Sequence, residues 1–387
     1  MFKKTSVIAA TAALSLVLAG CSAGSTSTGG DMLKELGTNE TSLTLLGWPG
    51  YAEDGSNDPA VDWVTPFETA TGCQVTFKPY GTSDEALSLF KTGEYDAIAA
   101  SGDATLRLIA GGNVQPLNTD LIPSYAGVYD FLKNRNWNTV DGKTYGVPHG
   151  YGANLLMYNT DVVKPAPTSW GVVFDGASQY AGKVTAYDSP IYIADAALYL
   201  MNTKPELGIK DPYSLDADQL AAAVELLKTQ RASVGEYWSD YLKSIQSFET
   251  GNSVVGTTWQ VIKNFTSPDA HVEAVLPSEG ATGWSDSWMI ASKAKHVNCA
   301  YKWLDYIDTP EANAAATEYF GEAPVTEGAC SFASDATFCD TYHAGDADYA
   351  AKIWYWTTPI STCLDGRTDV KCTDYSDWTK AWQEVKG

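Results

Sequence analysis

Hydrophobic and polar positions along the chain switch between two periods, and the switching sets out a succession of strands and helices. Thr44–Trp48 is short and apolar and stops at Pro49-Gly50, which predicts a first strand and a turn. Asp62–Thr71 places Trp63, Val64 and Phe67 on one helical face. Gln74–Phe77 alternates as a second strand, and Glu85–Lys91 reads as a short helix. Tyr95–Ala100 reads as a buried third strand, ending in the small-residue turn Ser101-Gly102-Asp103. Strands and helices alternating in this way build a largely parallel sheet with helices on both faces.

A second block repeats the theme. Asp141–Pro148 predicts a hairpin leading into the strand Leu155–Tyr158. The strand Val184–Tyr187, helices over 194–201 and 217–230, and the strand Ser253–Thr257 follow. The pattern returns through Val275–Pro277 to Asp286–Ile290, then to a helix over 300–307. Asp308-Thr309-Pro310 closes that helix and starts another. Trp63, Trp170 and Trp303 fit helical spacing and are expected in the core.

The N-terminus adds a compartment. Lys3 and Lys4 precede an apolar run, Val7–Ala19, which is short for a membrane span and has the form of a signal-peptide core. Leu18-Ala19-Gly20-Cys21 resembles the bacterial lipobox, so residues 1–20 are expected to be cleaved and Cys21 lipidated. Acyl chains contribute about 0.8 kcal/mol per buried CH₂. The Ser-, Gly- and Thr-rich stretch that follows suits a flexible tether, taken here as 21–41. No later stretch has the length and apolarity of a transmembrane helix.

Length and charge narrow the function. The remaining body of about 350 residues suggests two lobes. The formal net charge of −22 becomes about −24 once the two leader lysines are removed. Nucleic acid and anionic membrane surfaces are poor partners for such a chain. Six cysteines follow Cys21, an even number that suggests disulfides in an exported protein. Cys330 with Cys339 and Cys363 with Cys372 could each close a short loop, leaving Cys73 for Cys299, although six cysteines allow fifteen connectivities. There is no CxxC pair and only four histidines, so neither a metal nor another cofactor is expected.

Four stretches, in this order, carry a family resemblance: Gly47-Trp48-Pro49-Gly50-Tyr51, Lys91–Asp96, Tyr145-Gly146-Val147-Pro148, and Glu279-Gly280 followed by Trp284-Ser285-Asp286-Ser287. From about Leu43 onward the chain resembles the periplasmic binding proteins of ABC importers, and most nearly the spermidine/putrescine-binding group. The resemblance implies an α/β, periplasmic-binding-protein-like fold: two α/β lobes joined by a hinge, with a ligand cleft between them. Residues 42–147 plus 282–326 would form the first lobe and 148–281 plus 327–387 the second. Chain crossings are expected near 146–153, 277–284 and 323–327. The implied role is to capture a small amine outside the cytoplasmic membrane, as a lipid-anchored monomer, and to deliver it to membrane permease subunits without catalysis.

The same resemblance nominates the site. Trp48, Tyr51, Trp259 and Trp284 lie at strand ends or in Gly-rich loops and match ligand-wall aromatics. Such rings pack on methylenes and attract an ammonium, with about 0.5–2 kcal/mol per contact. Asp286 matches the family's amine-gripping aspartate. Ser101 matches a serine at the third-strand turn. Asp103 is either a second amine anchor or the N-cap of the following helix. In the second lobe the family's two acids fall on Ser189 and Tyr192, which cannot neutralise an ammonium, and Glu322 stands where the family tends to have tyrosine. A diamine wants an acid at each end. An amino acid or a γ-aminobutyrate-like zwitterion is therefore the alternative ligand, with Lys263 and Arg107 as candidate carboxylate partners.

Other classes fit less well. There is no Gly-x-Ser-x-Gly elbow and no His-Glu-x-x-His, although abundant carboxylates leave a secreted glycoside hydrolase as a remote alternative. An iron or anion binder would call for a tyrosine cluster or basic support, which an aromatic-plus-Asp cleft does not provide.

Overall fold

A computed structural model describes residues 32–387; the leader, Cys21 and most of the tether lie outside the described residues. The strands gather into two principal sheets. The first has seven strands, in the order Ala323–Pro324, Val147–Ala153, Ala281–Ile290, Ala97–Ala100, Ser42–Gly47, Gln74–Pro79, with Ile353–Tyr355 paired to the start of Ala281–Ile290. The second has five: Val272–Val275, Leu155–Asn159, Val255–Thr258, Val184–Tyr187, Val234–Trp238.

Both faces of the first sheet are covered, as alternation along Ser42–Gly47 requires. Leu43 and Leu45 enter a core with Phe67, Trp288 and Trp303, under the helices Val64–Thr71 and Val297–Ile307. Leu46 points the other way, into a core with Ile98, Phe90 and Leu108 under Ser83–Phe90 and Gly102–Ala110. The second sheet is covered likewise. Helices Ile193–Thr203, Ala217–Arg231 and Tyr375–Lys386 pack on one face, while Tyr241–Glu249 and Gln260–Phe265 close over Met157 and Trp238 on the other. Ala217–Arg231 starts at a capping box, Asp216 with Gln219.

The first sheet is less parallel than expected. Ser42–Gly47 runs parallel to both its neighbours, but Ala281–Ile290 is antiparallel to Ala97–Ala100 and to Val147–Ala153. The cause is topological: this strand returns from the second sheet and enters the first from the opposite end. All ten of its residues are buried, so the alternation that marks a half-exposed strand is absent. Its pairing with Val147–Ala153 shifts register between Asp286 and Ser287, an irregularity of the kind that re-aims side chains beside sites.

The sheets are joined at narrow places. Asn154 alone separates Val147–Ala153 of the first sheet from Leu155–Asn159 of the second. The chain returns between Val275 and Ala281. The third crossing differs from the expected 323–327, because Ile353–Tyr355 still belongs to the first sheet and the chain reaches the last helix only at Tyr375. Several elements had no counterpart in the sequence pattern, among them Val234–Trp238, Tyr241–Glu249, Gln260–Phe265, Ile353–Tyr355 and Tyr375–Lys386. The cysteines pair Cys73–Cys299, Cys330–Cys339 and Cys363–Cys372, with Cα atoms 5.8, 5.9 and 5.2 Å apart.

Candidate functional site

The first strand delivers Trp48 and Tyr51 through a tight turn. Gly50 takes a left-handed φ of 91°, and the Tyr51 amide donates to the Trp48 carbonyl at 3.1 Å. Tyr51 is thereby fully buried, wedged between His149 and Phe320 with ring centroids 4.5 and 4.7 Å away. Its hydroxyl lies 2.8 Å from Asp286 Oδ2 and 3.3 Å from Glu322 Oε2. Trp284 donates its indole N–H to the same Glu322 oxygen at 3.2 Å. Both acids are buried, and Asp286 Oδ1 and Glu322 Oε1 have no hydrogen-bond partner.

Two glycines of Val147–Ala153 make this arrangement fit. A Cβ on Gly150 would collide with the Glu322 carboxyl, and one on Gly152 with the Trp284 ring. Glu322 itself follows Gly321, the left-handed cap that ends the helix Pro310–Phe320.

The third strand supplies the next group. Ser101 precedes the helix Gly102–Ala110 in extended backbone but makes no side-chain cap. Its hydroxyl instead accepts from the Trp48 indole at 3.3 Å. Asp103 is not an N-cap. It sits in the first turn, 2 % exposed, and accepts from the Ser83 hydroxyl at 3.0 Å. Tyr80 stacks obliquely on Trp48 at 4.6 Å and donates to the Ala99 carbonyl at 2.6 Å.

Burial governs the charge of these acids. It pushes Asp286 up to about 7, against the pull of the nearby Ser101, Tyr51 and Trp48 side chains, while the Asp103 charge pushes it further up. Burial likewise raises Asp103 to about 6, although the Arg107 cation pulls down. Glu322 is raised well above the usual carboxylate range by burial and then by the Asp286 charge.

The second lobe contributes rings from the ends of its parallel strands: Tyr187, Trp238 and Trp259. Trp259 lies 4.9 Å from Trp238 and 5.3 Å from Trp284, which lies 6.2 Å from Trp356. Tyr187 stacks on Trp356 at 5.7 Å and 14°. Burial raises the Tyr187 phenol above its ordinary value, and Asp103 and Asp286 add to that shift across the cleft. The Trp259 indole donates to Asn154 Oδ1 at 2.9 Å. Asn154 in turn donates to Thr282, whose hydroxyl lies 3.0 Å from Asp195 Oδ2. A wall ring is thus hydrogen-bonded to the residue that joins the two sheets.

Trp48, Tyr51, Ser101, Asp103, Trp259, Trp284, Asp286 and Glu322 therefore come together. Two nominated residues do not join them. Tyr192 is a correction: it is 1 % exposed inside the second lobe, where its hydroxyl accepts from Gln230 at 2.9 Å and its ring meets Trp382. Ser189 caps the turn Pro190–Tyr192 through the Ile191 amide. The neighbouring Asp188 is held by Lys386 at 2.7 Å and by the Trp382 indole. Lys263 pairs with Glu273 and Arg107 Nη1 with Asp84, while Arg107 Nη2 is buried without a hydrogen-bond partner and its guanidinium lies 3.8 Å from the Tyr375 ring. Among the described residues no group of three or more His, Cys, Asp or Glu side chains is arranged to hold a metal ion.

The sequence analysis missed Tyr80, Tyr187, Trp238, Trp356 and Asn154. Tyr187 was legible as the last residue of a predicted strand, the place where open parallel sheets bind ligands. Trp238 ends a strand without clear alternation, and no periodic signal marks Trp356 or Asn154.

The chain is similar to known proteins over most of its length. A family model described as bacterial extracellular solute-binding protein matches residues 62–338. The putrescine-binding periplasmic protein SpuD of Pseudomonas aeruginosa is 26 % identical over 316 residues, covering 74 % of this chain and 84 % of its own. Spermidine/putrescine-binding periplasmic protein 1 of Haemophilus influenzae is 26 % identical over 275 residues, covering 70 % and 71 %. A solved structure described as a putative spermidine/putrescine ABC transporter from Listeria monocytogenes superposes with a TM-score of 0.71 at 18 % identity, covering 90 % of this chain and 99 % of that one.

Proposed function

The chain belongs to the bacterial extracellular solute-binding proteins, and from that premise we propose that it captures a polyamine such as putrescine or spermidine between its lobes for an ABC permease. The observation that carries this reading is the pair Asp286 and Glu322, buried beneath tryptophan rings, each with one oxygen lacking a partner. An ammonium supplies the missing donors, and its charge-assisted bonds to carboxylates are about twice as strong as neutral ones. Trp48, Tyr51, Trp259 and Trp284 would cover the alkyl chain and exclude water. Each ring in contact with the cation adds about 0.5–2 kcal/mol. Asp103 gives the first lobe another acid, which favours a ligand with more than one ammonium over a zwitterion. No lysine or arginine among the described residues pairs with Asp103, Asp286 or Glu322.

In this reading the lobes divide at Asn154, between 275 and 281, and between 355 and 375. Opening about these crossings admits the ligand, and closing brings Trp259 onto Trp284 over it. Lipidation at Cys21 would hold the body at the membrane; retention of a Cys21→Ala protein in the membrane fraction would count against it.

Calorimetry with putrescine, spermidine, γ-aminobutyrate and basic amino acids tests the ligand. Putrescine or spermidine is expected to bind, and γ-aminobutyrate to bind weakly or not at all. Tighter binding of γ-aminobutyrate would sink the polyamine reading. Unchanged affinity in Asp286→Ala would sink the site.

A further inference from the structure

Tyr51 poses a problem in hydrogen counting. Its oxygen lies within hydrogen-bond distance of two carboxyl oxygens, Asp286 Oδ2 at 2.8 Å and Glu322 Oε2 at 3.3 Å. A phenol has one hydrogen to donate. If that hydrogen serves the nearer oxygen, on Asp286, the Glu322 contact needs a hydrogen of its own. The trio is then satisfied as Glu322 O–H to Tyr51 O, and Tyr51 O–H to an ionised Asp286. Two ionised carboxylates on one phenol would otherwise repel each other in a dry site.

We propose, resting on the amine reading above, that Asp286 and Glu322 share one proton through Tyr51 in the ligand-free protein, and that an entering ammonium takes its place. The exchange balances simply. Glu322 loses its proton to solvent, both carboxyls become ionised, and the ligand ammonium donates to Asp286 Oδ1 and Glu322 Oε1, the two oxygens without partners. No covalent bond changes other than the O–H of Glu322.

The surroundings favour this assignment. Trp48 and Ser101 are neutral donors facing Asp286, and Trp284 is a neutral donor to Glu322. Tyr80 and Tyr187 face Asp286 from the first and second lobes, and Tyr342 lies near Glu322; burial holds all three phenols above their ordinary value. His149, against Tyr51, has both ring nitrogens unpartnered, and burial pushes it down to about 3, so it is neutral. Asp103 adds a negative charge near Asp286, and the Arg107 cation acts on Asp103. The proton therefore has no built-in cation as competitor.

Two measurements test the proposal. Infrared difference spectra of ligand-free wild type against Glu322→Gln at neutral pH are expected to show a protonated-carboxyl band in wild type that the variant lacks. Absence of that band overturns the proposal whatever the protein binds. Calorimetry of wild type with putrescine or spermidine at neutral pH, in phosphate and in Tris, should show release of about one proton per ligand, with affinity falling as the pH is lowered. Glu322→Gln should bind the amine more weakly and with most of the proton release gone, and Glu322→Tyr serves as a second neutral variant if the amide misfolds. Amine binding by wild type without proton release, or equal release in wild type and Glu322→Gln, overturns the exchange. If the band is present and no amine binds, the ligand reading fails and the exchange falls with it.

Discussion

At the scale of single residues, Gly150 limits Glu322 as firmly as any hydrogen bond does. A methyl group there has no room beside the carboxyl, so Gly150→Ala is expected to displace Glu322 and break its contact with Tyr51. The expected result is a loss of amine affinity of tenfold or more with a modest drop in Tm, checked by calorimetry beside a melting curve. Asp286→Asn removes a buried charge that would face the ligand, and truncating such a partner costs about 2–5 kcal/mol, or roughly a 30- to 4,000-fold loss of affinity. Affinities within threefold of wild type would argue against either role. Trp48, Tyr51 and Asp286 were legible because a local motif announces them. Tyr192 was misplaced because register counting cannot see that Ser189 starts a short 3₁₀ turn, which carries the ring at 192 into the lobe interior. Glu322 was nominated as a departure from pattern, but its meeting with Tyr51 depends on the space left by Gly150, far away in the chain, which no local signal reveals.

At the scale of elements, the crossings between the sheets are tied by side chains. Asn154 reaches Trp259 with one end and Thr282 with the other, at 2.9 and 2.7 Å. Thr282 passes the chain on to Asp195, which burial pushes up to about 8. Thr282→Val would leave the Asn154 amide and Asp195 short of partners inside the protein. A buried polar group without its bond costs about 1–3 kcal/mol. Thr282→Val should therefore lower thermal stability by that order and weaken ligand binding, although Thr282 lies outside the site. Scanning calorimetry and ligand titration check both; stability equal to wild type would remove Asn154 and Thr282 from any part in the hinge. Most strands and helices were legible because their apolar periods are strong. The exceptions are instructive. Val234–Trp238 carries Gly235 and Glu236 at its centre and depends on pairing with Val184–Tyr187, and Ala281–Ile290 hides its period by being buried on both faces.

At the scale of the whole molecule, acids buried without cations tie stability to pH. Burial raises Asp103 to about 6, Asp286 to about 7 and Asp195 to about 8, against 3.8 for a free aspartate. An acid raised in the folded state binds its proton more tightly there than in the unfolded chain. Its stabilisation is complete below the unfolded value and lost as pH climbs through the folded one. The ligand-free protein is therefore expected to melt highest near pH 5 and progressively lower toward pH 8, and a formal charge of −22 adds self-repulsion in the same direction. Added polyamine should raise Tm more at pH 8 than at pH 5, because it binds the ionised acids. A melting temperature that is flat or rising over this range would contradict the picture. The two-lobed arrangement was legible from the order of elements; the third crossing was not, since it rests on a three-residue strand whose pairing is wholly tertiary. The contact of Trp238, Trp259, Trp284 and Trp356 across the lobes has an optical consequence. Indoles this close share their excited states and quench one another, so a guest that changes the spacing of Trp259 and Trp284 should alter emission and near-ultraviolet circular dichroism. The protein thus carries an intrinsic, label-free gauge of its own occupancy.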